Sequence, residues 1–233
     1  MNLDRPHSLT AVDLDRRIPV EELCARYEGV FTAAVNDVLR ALGLLQQTLP
    51  HTIRPISGDM RVAGVAFTIR GERDATLEDE MEERAEMLEA IGANTVCLWE
   101  TGGDDETAQW GEVMTMAALQ RGCRGAVVDG GVRDTEQVLG LGFPVFARFH
   151  SSNGMLGRFR LKAWQEPIEI GGVRIEPGDI VFGDLDGVIV VPARLALFVL
   201  ERAEQIRDKE IDIKQLVADG LPPREVVARG GYF

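Results

Sequence analysis

The sequence predicts a mixed α/β domain in which two β-layers and one layer of helices pack together. Three short apolar runs, each separated from the next by a helical segment, predict parallel strands in one sheet: Thr95–Trp99, Gly125–Asp129 and Pro144–Phe149. After His150 the pattern changes to short strands joined by glycine turns, which predicts a second, β-rich layer. Since no repeat or linker divides the chain, we expect a single domain over residues 1–233, with helices flanking mixed sheets.

The amino-terminal part of the chain is predicted to contain an arm, two helices and two strands. Residues 1–18 are polar and mixed in charge, which is typical of a loose N-terminal arm. Apolar residues recur at helical spacing in the second helix, and Gly43 is placed to end it. The predicted helices are Pro19–Tyr27 and Thr32–Leu42, and the predicted strands are Ile53–Ile56 and Arg61–Arg70.

Three further helices are expected between the strands of the central sheet. They are Thr76–Ile91, Trp110–Arg121 and Thr135–Leu141. The first is acidic: its run from Glu78 to Glu83 predicts a solvated helix face, with a metal cage as the alternative. Trp99 and Trp110 are predicted to be core or interface aromatics.

The last third of the chain is predicted to hold glycine-bounded strands and a long helix. After a polar stretch at 151–163, the predicted elements are the strands Ile168–Ile170, Val173–Ile175, Ile180–Phe182 and Val188–Val191, the charged helix Pro192–Asp219, and a short helix with a tail in Leu221–Phe233. Residues 192–233 are therefore expected to form a C-terminal helix and tail. Asp184 and Asp186 stand between glycines and are predicted to cap a hairpin turn, with a metal role as the alternative.

Composition excludes several classes of protein. The 25 basic and 38 acidic residues give a net charge of −13, and no run of Lys or Arg occurs. The average field therefore repels a nucleic-acid backbone, and we expect no nucleic-acid partner. Three widely spaced cysteines favour a reducing compartment over a disulfide framework. Without an apolar signal segment or an apolar run of about 18 residues, the sequence predicts a cytoplasmic protein with no membrane partner.

Two strand-end loops are the strongest candidates for a binding site, because ligands of α/β sheets bind beyond the carboxyl ends of parallel strands. One loop is Trp99–Asp104, with Gly111–Met114 following at a predicted helix start, and the other is Asp129–Asp134. Arg133 offers a guanidinium fork to a carboxylate, and Asp134 offers a hard oxygen ligand to Mg²⁺ or Mn²⁺. Such a pair fits a 2-oxo acid, and a surface Arg–Asp pair after an ordinary turn is the alternative.

Four ordered stretches of the chain resemble one known family. They are Thr32–Leu42, Gly102–Met114, Gly125–Asp134 continued by Leu141–Arg148, and Pro177–Pro192. Together they resemble the family shared by class II 4-hydroxy-4-methyl-2-oxoglutarate aldolases and the regulator of ribonuclease activity A. The resemblance covers roughly residues 30–220, nearly the whole chain.

The resemblance implies a swivelling β/β/α fold and a homotrimer or homohexamer whose site lies between subunits. In the aldolase branch it implies a divalent metal, Mg²⁺ or Mn²⁺, on Asp134. Arg133 would bind the 2-oxo acid substrate and take part in catalysis. Glu112 would act catalytically from beyond the waters of the metal.

The same resemblance assigns the remaining site residues. Backbone amides that follow Gly111, those of Val113 and Met114, would cradle the pyruvyl carboxylate. A glutamate of the C-terminal helix would reach the site of the neighbouring subunit. Glu210 matches that position best, and Glu204 is the alternative.

With these residues, the resemblance implies a carbon–carbon lyase, a class II pyruvate aldolase that cleaves a 4-hydroxy-2-oxo acid, with oxaloacetate decarboxylation as a second activity. Lys162, Lys209 and Lys214 stand in polar or charged segments, so none is expected to form an imine. A non-enzymatic regulator that binds a ribonuclease is the alternative. The resemblance implies that such regulators tend to lack the metal-binding Asp of this turn, so the presence of Asp134 favours the enzyme. A metal-dependent lyase or hydrolase acting on another hydroxy acid is a third hypothesis. Under this third hypothesis His150 would act as a catalytic base or set the substrate specificity, whereas under the other two we expect it to be structural.

Overall fold

The structure, a computed structural model, describes residues 18–77 and 80–231. The predicted arm therefore lies outside the described residues, apart from Ile18. The described helices are α1 Val20–Glu28, α2 Thr32–Ala41, α3 Met81–Ala90, α4 Glu112–Gln120, α5 Thr135–Gly140, α6 Ala196–Ala218 and α7 Pro223–Ala228. The described strands are β1 Arg54–Pro55, β2 Val62–Arg73, β3 Thr95–Glu100, β4 Ala108–Trp110, β5 Gly125–Val132, β6 Val145–His150, β7 Phe159–Trp164, β8 Ile168–Ile170, β9 Val173–Ile175, β10 Ile180–Asp184 and β11 Gly187–Val191.

One mixed sheet of nine strands frames the described part of the chain, in the order β1-β6-β5-β3-β2-β10-β11, with β4 beside β5 and β7 beside β2. The strands β2, β3, β5 and β6 are parallel, as the alternation of strands and helices predicts. The prediction of a separate β-rich layer is wrong in part, because β10 pairs antiparallel with β2 and extends the same sheet. Of the described strands, β8 and β9 alone lie outside this sheet, and they form a separate two-stranded hairpin.

Alternation of side chains along the strands divides the core into layers. Phe67 and Ile69 of β2 face the helices α3, α4 and α5, whereas Ala66, which precedes Phe67, faces the β8–β9 hairpin. On β10, Phe182 packs against α1, α2 and α6, and Val181 packs with the hairpin. The sheet is therefore buried on both faces, and the predicted mixed α/β fold, with helices packed against a mixed sheet, is confirmed.

The acidic helix predicted at Thr76–Ile91 begins later, at Met81. Glu80 comes before its first turn and is buried instead of solvated. Its carboxylate accepts the backbone N–H of Leu161 at 3.0 Å and pairs with one arginine of α3 and one of β7. Residues 78 and 79, where the predicted acidic face starts, lie outside the described residues.

Strands reach further than predicted at the edge of the sheet that follows β5. This strand runs to Val132 and does not turn after Asp129, and Trp110 belongs to β4 instead of the following helix. The segment predicted to be polar and irregular contains β7, Phe159–Trp164, so Lys162 lies on a strand. These three strand segments gain their partners from distant parts of the chain, which local patterns do not register.

Asp184 confirms the predicted hairpin cap and also ties the hairpin to α2. Its carboxylate accepts the backbone N–H and the hydroxyl of Thr32 at 2.9 and 2.8 Å, and the backbone N–H of Asp186 at 3.0 Å. At the other end of α2, Gly43 has a φ of +81° and its N–H bonds to Arg40, as predicted for a C-cap. The C-terminal helix begins with a 3₁₀ turn at Ala193–Leu195 before α6.

The three cysteines are buried and free, as expected without a disulfide framework. The Sγ atoms of Cys97 and Cys123 lie 3.7 Å apart. The hydrogen bond with Cys97 lowers the pKa of Cys123 to about 7, whereas burial raises the pKa of Cys97.

In the described part of the chain, no helix combines the length and the apolar character that crossing a bilayer requires.

We expect Asp184→Ala to lower the free energy of unfolding by about 2–4 kcal/mol, because three donors lose a buried acceptor. Urea unfolding followed by circular dichroism, at one protein concentration, measures the change. Asp186→Ala, in the same turn but exposed, is the control and should change it by less than about 0.5 kcal/mol. Equal losses in the two variants would contradict the role of Asp184 as the cap.

Candidate functional site

The candidate site lies where β5 extends beyond the body of the sheet. The strand pairs with β3 as far as Val128. Its last residues, Gly131 and Val132, pair instead with β4 on one side and with the end of β6 on the other. Arg133 and Asp134 follow directly, so they stand beyond the carboxyl ends of parallel strands, where the sequence places a binding site.

A buried pair, Asp104 and Gln109, holds this extension in place. Asp104 accepts the carboxamide N–H of Gln109 and the backbone N–H of Thr107, both at 2.8 Å, and lies 3.0 Å from Arg73 Nε. The carboxamide oxygen of Gln109 accepts the N–H of Gly131 at 3.0 Å. Asp104 is therefore a structural acid and not the free ligand that its loop suggests.

Asp134 adopts a left-handed conformation, with φ +53° and ψ +37°. It precedes α5 but makes no side-chain cap to it. Its Oδ2 lies 3.4 Å from both the backbone nitrogen of Glu112 and Nε of Arg133. With 39% of its side chain exposed, the carboxylate faces the N-terminus of α4 and remains accessible to a ligand.

Two glycines leave the room that the Arg133–Asp134 turn occupies. A Cβ on Gly111 would come within 2.8 Å of Asp134 Oδ2, and a Cβ on Gly154 within 2.6 Å of an Arg133 terminal nitrogen. Gly111 is a predicted site residue, whereas the sequence patterns do not indicate a role for Gly154 or Gln109. In the sequence, Gly154 is one glycine of a polar loop, and Gln109 is a single amide residue between Ala108 and Trp110.

Two cavities meet at Arg133 and Asp134. The α3–α4 cavity has a volume of about 370 Å³, and its lining includes Arg84, Trp110, Gly111, Met114, Arg133 and Asp134. The His150 cavity has a volume of about 380 Å³, and its lining includes Arg133, Asp134, Thr135, His150, Ser151 and Ser152. Both volumes fall in the range of small-molecule sites.

The start of α4 supplies the other predicted binding groups. Val113 and Met114 line the α3–α4 cavity, and Glu112 precedes them at the first position of the helix. Backbone N–H groups in the first turn of a helix have no helical acceptor, and the helix dipole favours an anion there. The structure therefore brings Gly111, Glu112, Val113 and Met114 to the Arg133–Asp134 turn.

Glu210 and Glu204 lie apart from these residues within one chain, since both stand on α6. Neither lines either cavity. Glu204 is held by Arg26 through two contacts of 2.9 and 2.6 Å, whereas the pairing of Glu210 within the described residues is along its own helix, with Lys214 at 2.8 Å. Of the two, Glu210 is the less constrained.

His150 ends β6, and its Nδ1 lies 3.0 Å from the hydroxyl of Thr135. The imidazole borders the cavity named after it, whose described lining comes from the end of β5, the turn and the residues around His150. Its contact with a residue adjacent to Asp134 orients the ring.

The residues at the turn fit a hydrated divalent cation. Across residues 18–77 and 80–231, no three His, Cys, Asp or Glu side chains stand together as a metal cage. Mg²⁺ needs no such cage, because it retains several waters and binds through one or two carboxylates and the substrate. Asp134, whose protein contacts are long, offers such a carboxylate.

Asp129, on β5 just before the extension, is buried and lies 3.5 Å from Arg148. Burial raises the pKa of Asp129, and the Arg148 guanidinium opposes that rise. Asp129 is thus enclosed in the sheet, whereas 39% of the Asp134 side chain is exposed.

Fold and site together define a mixed α/β protein whose candidate site is an Arg–Asp turn at the carboxyl edge of a parallel sheet. A family model described as RraA-like, Aldolase/RraA, matches residues 32–190. The chain therefore belongs to the RraA-like family, and it has the RraA-like fold.

Sequence relatives include protein DlpA of Legionella pneumophila, 30% identical over 81% of this chain. A 4-hydroxy-4-methyl-2-oxoglutarate aldolase of Thermus thermophilus is 30% identical over 63% of this chain and 85% of its own length. The chain spans only 30% of the length of DlpA and 60% of a similar uncharacterized protein of Methanocaldococcus jannaschii.

Solved structures share the fold over most of their length. A protein described among novel cellulases from microbes associated with the gut ecosystem is 42% identical, with a TM-score of 0.82, and the match covers 91% of this chain and 96% of that one. Streptomyces coelicolor RraAS2, described as an unusual member of the RNase ES inhibitor RraA family, is 26% identical. Its TM-score is 0.77, and the match covers 85% of this chain and 99% of that one.

We expect Asp104→Ala to lower the free energy of unfolding by about 2–4 kcal/mol and to speed amide hydrogen exchange at Gly131, because Gln109 loses its anchor. Hydrogen exchange read by mass spectrometry or NMR gives the local effect. The control is Asp105→Ala: this neighbouring acid also contacts Arg73 but is 70% exposed. Unchanged exchange at Gly131 in Asp104→Ala would remove Asp104 from the support of the turn.

Proposed function

We propose that the chain is a divalent-metal-dependent carbon–carbon lyase that cleaves a 4-hydroxy-2-oxo acid of the 4-hydroxy-4-methyl-2-oxoglutarate type and releases pyruvate. The observation that carries the proposal is the exposed carboxylate of Asp134, set beside Arg133 and the N-terminus of α4 within one cavity. The aldolase of Thermus thermophilus, a relative by sequence, supports the reaction class. Oxaloacetate decarboxylation, which leaves the same pyruvyl fragment, is the second activity.

The carboxylate end of the substrate is assigned to Arg133 and to the amides of Val113 and Met114. A guanidinium and a carboxylate match in two-point geometry, and first-turn amides complete the contact without a further charge. Asp134 would hold Mg²⁺ or Mn²⁺, which when bound supplies Lewis acidity toward the 2-oxo group. Gly111 keeps the helix start close enough for these groups to act on one small acid.

Proton transfer at the distal hydroxyl is assigned to an ordered water polarised by Glu112 or Glu210. When that hydroxyl loses its proton, its oxygen forms a carbonyl at carbon 4, the bond between carbons 3 and 4 breaks, and the electron pair of that bond passes to the pyruvyl fragment. Arg133, at the carboxylate of that fragment, balances the added negative charge, and the fragment takes the proton back at carbon 3 and leaves as pyruvate. A water hydrogen-bonded to a carboxylate is a suitable base for this step.

Glu210 would come from a neighbouring subunit of a homotrimer or homohexamer. The exposed apolar side chains beside the α3–α4 cavity support an interface there: Val113 is 74% exposed and Met116, on the same helix, 46%. The cytoplasmic location belongs to the same proposal and is supported by the three free cysteines.

A lysine-based aldolase mechanism has no support from Lys162. Its ammonium lies 3.0 Å from Glu72 and 3.6 Å from Asp74 on the neighbouring strand and its continuation. The hydrogen bond to Glu72 raises the pKa of Lys162, whereas an imine-forming lysine requires a lowered pKa.

One similar solved structure is described among cellulases, which hydrolyse a polysaccharide. For this chain, such a reaction is less well supported than the lyase. Most glycosidases need two carboxyl groups facing across the scissile bond. Among the described residues that line the α3–α4 cavity, Asp134 is the one acid.

A regulator that binds a ribonuclease remains the alternative function, and it needs no cation at Asp134.

Wild-type protein should release pyruvate from 4-hydroxy-4-methyl-2-oxoglutarate and from oxaloacetate with Mg²⁺ or Mn²⁺, and EDTA should abolish the release. In Asp134→Ala the rate should fall at least about a hundredfold, because the carboxylate for the cation is gone. A coupled lactate dehydrogenase assay measures pyruvate, and titration calorimetry with Mn²⁺ measures metal binding directly.

Glu136→Ala removes an exposed acid two residues away and should retain both activity and Mn²⁺ binding. Metal binding without pyruvate from either substrate would redirect the proposal to another hydroxy acid and to the His150 cavity. Failure of the wild type to bind Mn²⁺ would contradict the lyase and favour the regulator.

A site shared between subunits predicts complementation. Asp134→Ala and Glu210→Gln should each be nearly inactive, yet a refolded equal mixture should regain about a quarter of wild-type activity, since random assembly pairs two intact halves at about that frequency. Glu204→Gln in place of Glu210→Gln is the control and should be active by itself. An inactive mixture would contradict the contribution of Glu210 across subunits.

A further inference from the structure

Arg84 gives the α3–α4 cavity a second guanidinium. It lies on α3, far along the chain from the Arg133–Asp134 turn, yet its side chain and that of Arg133 line the same space. Only 17% of the Arg84 side chain is exposed, against 49% for Arg133. A largely buried guanidinium requires hydrogen-bond acceptors or a counter-charge.

The counter-charge that Arg84 has within the chain is shared. One oxygen of Glu80 pairs with Arg84, and the other accepts the N–H of Leu161 at 3.0 Å and lies 3.6 Å from Nε of Arg160. One carboxylate thus serves two guanidinium groups. Nε of Arg84 is buried and has no acceptor in the described part of the chain.

The lining of the cavity carries an excess of positive charge. Among residues 18–77 and 80–231, the charged residues that line it are the two arginines and one acid, Asp134, which the proposed function assigns to a cation. The surface between them is apolar and includes Trp110, Met114 and Met155. Such a cavity matches a small molecule with an anionic group at each end and a carbon chain between them.

We infer that Arg84 binds the second carboxylate, at the far end of the 2-oxo diacid that the proposed function names. This inference rests on the proposed function, in which Arg133 and the start of α4 hold the 2-oxo acid end. Arg84 is then a specificity-determining residue: it selects a diacid over a monoacid of the same length. A charge-assisted, two-point contact in a largely desolvated site gives this selection its strength.

The test compares the binding of two five-carbon acids that carry no 4-hydroxyl group and therefore cannot be cleaved. 2-Oxoglutarate has the distal carboxylate, and 2-oxopentanoate has a methyl group in its place. Titration calorimetry of the full-length protein with Mg²⁺ should show wild type preferring 2-oxoglutarate by about tenfold or more. Arg84→Met should lose that preference while binding 2-oxopentanoate within about twofold of wild type, and Arg84→Lys should retain part of it.

Arg160→Met is the matched control, because Arg160 shares Glu80 but does not line the cavity. It should leave the preference for the diacid unchanged. A wild type without preference, an Arg84→Met variant that keeps it, or an equal loss in Arg160→Met would overturn the inference and leave the proposed function standing. If wild type binds neither acid in the presence of Mg²⁺, the 2-oxo acid site itself is wrong, and the inference falls with the proposed function.

Discussion

The site depends on how β5 leaves the sheet. Beyond Val128 the strand no longer has β3 as its neighbour, and its backbone groups need other partners. The short strand β4 and the carboxamide of Gln109 supply them, and Gln109 is itself anchored by buried Asp104. Because a buried carboxylate is tolerated only when its oxygens are satisfied, the loop over residues 101–110 closes on Asp104. That closure sets β4, the start of α4 and the end of β5 side by side.

Hydrogen-bond saturation distinguishes the structural acids of this protein from the candidate ligand. Asp104 and Asp184 stand in glycine-containing loops, but each accepts several short hydrogen bonds and is buried. Asp134 stands in a similar loop, with contacts of 3.4 Å and a half-exposed side chain. Its left-handed backbone has an energetic cost, and strain of this kind is concentrated at functional sites. The position turns the carboxylate away from α5 and toward the N-terminus of α4.

Charge in the α3–α4 cavity follows from packing over long sequence distances. Arg133 arrives on the turn after β5, and Arg84 arrives on α3, whose start is held by Glu80 between two arginines. The protein as a whole has a net charge of −13, yet the described lining of this cavity has two arginines and one acid. A small anion is therefore attracted at short range by a cavity within a molecule whose average field repels it.

Much of this architecture could be predicted from the order of amino acids. Parallel strands, the cap at Gly43, the hairpin turn at Asp184 and the adjacent Arg133–Asp134 pair are local properties, readable from apolar periodicity, glycine placement and neighbouring residues. The strand β4 could not be predicted, because the three residues that end at Trp110 follow no strand pattern and only pairing with β5 makes them a strand. In β7, Phe159 and Leu161 alternate with Arg160 and Lys162, so a strand pattern is present, but it directly follows a glycine- and serine-containing stretch that is typical of a loop.

Gln109, Gly154 and Arg84 act through contacts with residues distant in sequence, and no local pattern reports a distance. The chain thus carries its fold class and its reactive pair in short segments. The support of that pair, the room around it and the charge opposite it arise only when those segments pack, because each is a property of the space between side chains and not of any one segment.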